Sequence, residues 1–138
     1  MIVVDTNVVS EVMRPQPAQA VLGWLNTQDS NLLFITPITL AEIGYGLRVL
    51  PDGLRRRQLQ TRFEQFIAQA FEERVLDFTA PAAHAYAEIM GHRKETGRAM
   101  SLPDGQIAGI ALPHGFAIAT RNTKDFEDCR IELINPFV

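Results

Sequence analysis

Three carboxylates in this sequence stand where a charge is costly to keep. Asp5 follows directly on the β-branched run Ile2-Val3-Val4. Glu42 lies within the mostly apolar stretch Ile38-Thr39-Leu40-Ala41-Glu42-Ile43 and is the only acid between Asp29 and Asp52. Asp104 follows Ser101-Leu102-Pro103, leads into the apolar run Ile107 to Leu112, and is the only acid between Glu95 and Asp125. Each has an ordinary explanation alone: Asp5 as a helix cap, Glu42 as a solvent-facing residue on a half-buried helix, Asp104 as a first-turn acid serving the helix dipole. Together they have a common one. Carboxylates brought into one pocket from separate segments repel and raise one another's pKa. A hard divalent cation removes that penalty. Mg²⁺ or Mn²⁺ takes oxygen ligands, and Mg²⁺ keeps several of its waters, so few protein carboxylates suffice. Such an ion can activate water against a phosphorus centre and neutralise the charge that develops.

The elements that must position these residues alternate. Strands are expected at Ile2–Val4, Leu32–Ile35, Val75–Phe78, Phe116–Ala119 and Ile131–Ile134, each a short apolar run. Helices are expected at about Asn7–Met13, Ala18–Thr27, Pro37–Leu50, Leu54–Phe71, Ala80–Thr96 and Ser101–Pro113. Thr36-Pro37 supplies a cap followed by proline at the first helical position. Leu59, Phe63, Phe66, Ile67, Ala70 and Phe71 form one helical stripe, and Gly97 closes the helix before it. The alternation implies an α/β sandwich of three layers, a mostly parallel twisted sheet of four to five strands with helices on both faces, in a single domain spanning residues 1–138. Ligands of such sheets bind beyond the carboxyl ends of the strands. Asp5 stands at the end of the first strand; Thr120, Arg121 and Asn122 stand at the end of the fourth.

Composition sets limits. Of 138 residues 46% are hydrophobic and 21% charged, which suits a globular domain. The net charge is -3, whereas a simple electrostatic nucleic-acid binder would be basic. A nucleic-acid substrate would therefore need a metal or a local basic patch to offset repulsion. Cys129 is alone, which excludes an intrachain disulfide and fits a reducing cytoplasm. Asp5 ends the apolar run that follows Met1, so no secretory leader is expected, and no stretch approaches the length of a membrane span.

Four longer motifs add a resemblance. They are Ile2-Val3-Val4-Asp5-Thr6-Asn7-Val8-Val9-Ser10-Glu11, Thr36-Pro37-Ile38-Thr39-Leu40-Ala41-Glu42-Ile43-Gly44-Tyr45-Gly46, Leu102-Pro103-Asp104-Gly105-Gln106-Ile107-Ala108, and Ala119-Thr120-Arg121-Asn122-Thr123-Lys124-Asp125-Phe126, with the ending Leu133-Ile134-Asn135-Pro136. In this order and spacing the chain resembles the PIN-domain toxins of the VapC type, and within them the FitB and StbB-like plasmid-stability branch. The resemblance implies metal-dependent endoribonuclease activity that leaves a 5′-phosphate and a 3′-hydroxyl. It implies metal ligation by Asp5, Glu42 and Asp104, with Thr6 or Thr120 steadying a carboxylate or a water at the metal, and Asn7 and Asn122 in support. It further implies an RNA substrate, a homodimer, and silencing by a cognate VapB- or FitA-type antitoxin. One departure stands out: many relatives carry a fourth acid just after the fourth strand, where this chain has Asn122, with Asp125 three residues later. Asn122 can still offer a carbonyl oxygen. Asp125 either reaches the site as a catalytic group or caps the turn before Phe126.

Other groups have competing explanations. Arg121 sits beside the expected site, as a phosphate contact or as a surface charge. Arg55-Arg56-Arg57 reads as a solvated face, with RNA or antitoxin contact as the alternative, and Arg93, Lys94 and Arg98 are candidates for a groove rim. His84, His92 and His114 have no zinc spacing, and no nucleophile elbow, P-loop or dinucleotide fingerprint occurs. Trp24, Phe63 and Phe66 read as core or dimer interface. Two rivals to the nuclease reading remain. A phosphatase-like hydrolase would want a second Asp at position 7, which is Asn7. A catalytically silent PIN-fold module would act with its antitoxin in DNA-bound autoregulation.

Overall fold

The computed structural model describes residues 1–138. Its elements run β1 (Ile2–Val4), α1 (Thr6–Val12), α2 (Gln19–Thr27), β2 (Leu33–Phe34), α3 (Pro37–Arg48), α4 (Leu54–Phe66), α5 (Ala80–Glu95), α6 (Leu102–His114), β3 (Ala117–Ala119) and β4 (Leu133–Ile134). The four strands form one parallel sheet in the order β2-β1-β3-β4. Strand β1 is central, registering Ile2 against both Leu33 and Ala117. Its side chains alternate across the sheet. Val4 joins Val8, Val9, Ile43, Leu47, Phe63 and Phe71 in one core. Val3 joins Ile89, Ile107, Ala108, Ile118 and Phe126 in the other. The sheet is thus covered on both faces, by α1 to α4 on one and by α5 and α6 on the other, and its β-branched strands are continuous apolar runs for that reason. The chain leaves β1 for β2 on one side and β3 lies on the other, so β1 marks a topological switch point.

Two expectations change. The run Val75–Phe78 is not a strand: only Val75 pairs with the sheet, as an isolated parallel bridge to Ile35. Glu72 and Glu73 precede it with consecutive positive φ angles of 46° and 64°, and the hydroxyl of Thr79 already caps α5 by accepting from Ala82 N–H at 3.3 Å. The segment therefore has room for a single ladder contact before its apolar side chains diverge, Leu76 to the second core and Phe78 to an edge-on contact with Tyr86. The helical stripe through Phe71 also holds its period only to Phe66. Residues Ile67–Phe71 widen into a π turn, which sets Phe66 edge-on to Phe71 at 5.4 Å.

Helix α6 lies against α5 across Gly105 and Gly109. A Cβ at Gly109 would sit 2.8 Å from the Ala82 carbonyl oxygen, and one at Gly105 would sit against Met90 and Tyr86. The absence of side chains there sets how closely α6 approaches, and so where its first turn, which carries Asp104, meets the sheet edge.

Candidate active site

Asp5 both caps a helix and faces the site. One carboxylate oxygen accepts from Thr6 N–H at 2.8 Å; the other accepts from the Thr120 hydroxyl at 2.8 Å and the Asn7 amide at 3.2 Å. Its own N–H bonds Ala119 O at 2.9 Å, anchoring β1 to β3 just below. Burial pushes the Asp5 carboxyl up to about 6, opposed by the Thr120 and Thr6 hydrogen bonds and reinforced by the charges of Asp104 and Glu42.

Thr6 reaches the other way, its hydroxyl donating to Glu42 Oε1 at 2.8 Å. With that proton committed, the Thr39 hydroxyl 2.9 Å away is the donor to Thr6. Thr36 fixes the helix beneath by accepting from Thr39 N–H at 3.3 Å. Glu42 is therefore solvent-facing, in keeping with its simpler explanation, and is nonetheless aimed by a relay of two hydroxyls. Asp104 sits on the first turn of α6, where Ser101 accepts from its N–H at 3.3 Å. Burial again raises its carboxyl, with repulsion from Asp125 and Glu42 added.

The loop after β3 is bound to this centre through Thr120, which is fully buried. Its hydroxyl oxygen accepts from Asn122 N–H and the Asn7 amide, both at 3.1 Å. Asn7 Oδ1 accepts from Arg121 N–H at 3.1 Å. Asp5, Thr6, Asn7, Glu42, Asp104, Arg121 and Asn122, with Ser10, Glu11 and Arg14, line one open cavity of about 540 Å³ that has no apolar side chain in its wall.

Asp125 is not in that wall. It is exposed, in a 3-10 turn over Thr123–Phe126, and acts on the site through its charge. The rim expected from Arg93 and Arg98 is also absent. Arg93 is buried and donates to the carbonyls of Arg98, Asp125 and Glu127 at 2.6, 3.0 and 2.7 Å, while Arg98 pairs with Asp128 at 3.1 Å. Both brace the loop behind Asp125, Arg93 from within, because a buried guanidinium with five donors needs several acceptors at once, and Arg98 from the exposed surface.

Glu11 also lines the cavity, a residue that closes the first sequence motif but was not among the candidate site residues. It is only 4% exposed, accepts from Ala18 N–H at 2.9 Å, and pairs with Arg14 at 3.2 Å and Arg121 at 3.6 Å. Arg121 also lies 3.8 Å over the Phe137 ring. The signals for Glu11 are its place in that motif and its position six residues after Asp5, less than two turns along the helix that Asp5 caps.

No three acidic, His or Cys side chains close tightly enough to cage an ion without help. Asp5, Glu42 and Asp104 line one open cavity instead. That donor set, all oxygen and with two carboxyls strained by burial and mutual repulsion, fits a hydrated Mg²⁺ or Mn²⁺ and does not fit a zinc cage.

An α/β sandwich with a polar, acidic cavity at the switch point of a parallel sheet belongs to the class of α/β folds that bind their ligands beyond the strand ends, and similarity to known proteins narrows it. The PIN domain family profile matches residues 2–131. The chain is 42% identical over 137 residues to the VapC ribonuclease Y4jK of Sinorhizobium fredii, covering 99% of this chain and 98% of that one. It is 37% identical to the toxin FitB of Neisseria gonorrhoeae, covering 99% of each. The solved structure of FitAB bound to an IR36 DNA fragment superposes with a TM-score of 0.92 at 37% identity, covering 100% of this chain and 96% of that one. The chain belongs to the PIN-domain family, in its VapC/FitB branch.

Proposed function

We propose that this protein is a metal-dependent endoribonuclease, the toxin of a toxin–antitoxin pair, and that Asp5, Glu42 and Asp104 hold its Mg²⁺ or Mn²⁺. The observation that carries the reading is the buried Asp5 carboxylate: it accepts from neutral donors alone, it shares a cavity with Glu42 and Asp104, and none of the three is in an ion pair within 4.0 Å. Its relative's name as a ribonuclease supplies the substrate class. When bound, the ion would supply Lewis acidity and a lowered pKa for water. The chain's own part is orientation. Thr120 and Asn7 turn one Asp5 oxygen, Thr6 holds Glu42, and the first turn of α6 presents Asp104 at the edge of the same cavity. Asn122 offers a further polar contact there, and Arg121 a cation for phosphate. The FitAB relative supports an antitoxin partner and a DNA-bound complex for this chain as well.

The test is incubation of purified, partner-free protein with a mixed RNA pool under Mg²⁺, Mn²⁺ or EDTA, with Asp5→Asn and Asp104→Asn alongside. Cleavage by the wild type with either metal is expected, abolished by EDTA and reduced about a hundredfold or more in each variant. Cleavage that survives EDTA and both substitutions would sink the reading.

A further inference from the structure

The cavity continues past its carboxylates. Ser10 and Arg14 line it and also line an adjoining groove of about 360 Å³, walled on the far side by Arg55, Gln58 and Arg62. On α4 these fall at i, i+3 and i+7, one face of the helix. The groove thus holds three guanidiniums and no carboxylate, in a chain whose acids outnumber its bases, 16 to 13. Arg55 and Arg62 are exposed and have no carboxylate within 4.0 Å. The guanidiniums flanking Arg55 are held: Arg62 donates to Met13 O at 3.2 Å, and Arg14 is pinned to Glu11. By contrast Arg57, in the same basic run, is drawn off toward Asp52 at 3.8 Å.

We propose that this groove is the track along which single-stranded RNA runs into the acidic cavity, its phosphates lying against Arg14, Arg55 and Arg62. The inference rests on the ribonuclease reading, since a strand cut at an interior bond must continue beyond the carboxylates on each side. Cations are needed along that path because the acidic cavity itself repels the backbone. Guanidinium forks match phosphate oxygens in pairs, and the groove has few apolar side chains with which to anchor a peptide.

The test is fluorescence anisotropy with a fluorescein-labelled mixed-sequence RNA of about 20 nucleotides, in EDTA so that binding is read without cleavage. Arg55→Gln/Arg62→Gln is expected to weaken binding about tenfold and to flatten the dependence of log K on log salt by about 1.4, near 0.7 for each phosphate no longer neutralised. Arg55→Glu, which has no ion pair to lose, should weaken binding with an unchanged thermal midpoint. Unchanged affinity and slope would overturn the proposal, as would failure of the wild type to bind the RNA at all. So would poly-glutamate displacing the RNA at equal charge concentration, which would assign the groove to an acidic protein segment. Cleavage is scored separately. A wild type that cuts while the groove variants bind normally would remove only the track; a wild type that binds through the groove and never cuts would remove only the nuclease.

Discussion

Asp5 and Glu11 sit at the two ends of helix α1, each at 4% exposure, yet their carboxyls are displaced in opposite directions. The Ala18 N–H and the guanidiniums of Arg14 and Arg121 hold Glu11 below the usual carboxylate range. Asp5 receives only neutral donors and faces two more acids, so burial prevails and raises it to about 6. The difference has two sources: Asp5 is packed far more deeply at the strand end than Glu11 is, and Glu11 alone has guanidiniums beside it. The fold pairs Glu11 with guanidiniums and gives Asp5 only neutral donors, a contrast that supports the cation site proposed above.

The contrast is sharpest in stability against pH. A carboxyl whose pKa is raised on folding binds its proton more tightly in the native state than in the unfolded chain, so its contribution favours folding at low pH and is lost as pH climbs. For Asp5 that loss falls between about pH 4 and 6 and is on the order of 3 kcal/mol by pH 7. Glu11 has the opposite sign: its support is present above its ordinary pKa and disappears as pH falls through the lowered one. Metal-free protein should therefore unfold more easily in urea at pH 7 than at pH 5. Asp5→Asn should remove that decline, and Mn²⁺ should stabilise the wild type at pH 7 but not the variant. A wild type as stable at pH 7 as at pH 5, and indifferent to Mn²⁺, would erase the distinction.

Truncating the satisfied carboxylate should have the reverse outcome. Glu11→Ala leaves the Ala18 N–H without its acceptor and frees two guanidiniums, for a loss of about 2 kcal/mol in urea unfolding at pH 7. A loss below about 0.5 kcal/mol would mean that Glu11, too, was held at a cost.

What the sequence made legible follows from what each residue asks of its neighbours. Asp5, Glu42 and Asp104 were visible because isolated acids in apolar surroundings demand compensation, and the strand-end rule placed Asp5 and Thr120 together across 115 residues. Both faces of the sheet were readable from the alternation of strands and helices, and Val4 and Val3 fill the two cores that this alternation requires. Glu11 stood in the first motif, but its burial was not readable: that depends on where the chain after Pro17 returns, which is a tertiary outcome. Nor was Arg93, whose basic neighbours suggested a surface until the loop of residues 125–127 supplied carbonyls to bury it. Val75–Phe78 has strand composition, but the left-handed pair at Glu72 and Glu73 leaves no sequence mark that glycine would have left.

Asp125 offers the finest division, between a carboxylate in the cavity and one that acts on it from outside. Its side chain is exposed, its N–H bonds Asn122 O at 3.0 Å, and its carbonyl accepts from Arg93. Asp125→Asn preserves both backbone contacts and removes only the charge that helps raise the Asp104 carboxyl. Cleavage at pH 7 should fall or rise by less than about threefold, because exposed charges act through screened solvent. The acidic limb of the pH profile should move to lower pH as Asp104 ionises more readily, and added salt should shrink that shift. A loss as deep as that of Asp104→Asn would instead put the Asp125 carboxylate on the metal or the substrate. The turn at Thr123–Phe126 would then have to swing inward when the site is filled, and the uncompensated charge at Asp5 would have a fourth acid to share its cation.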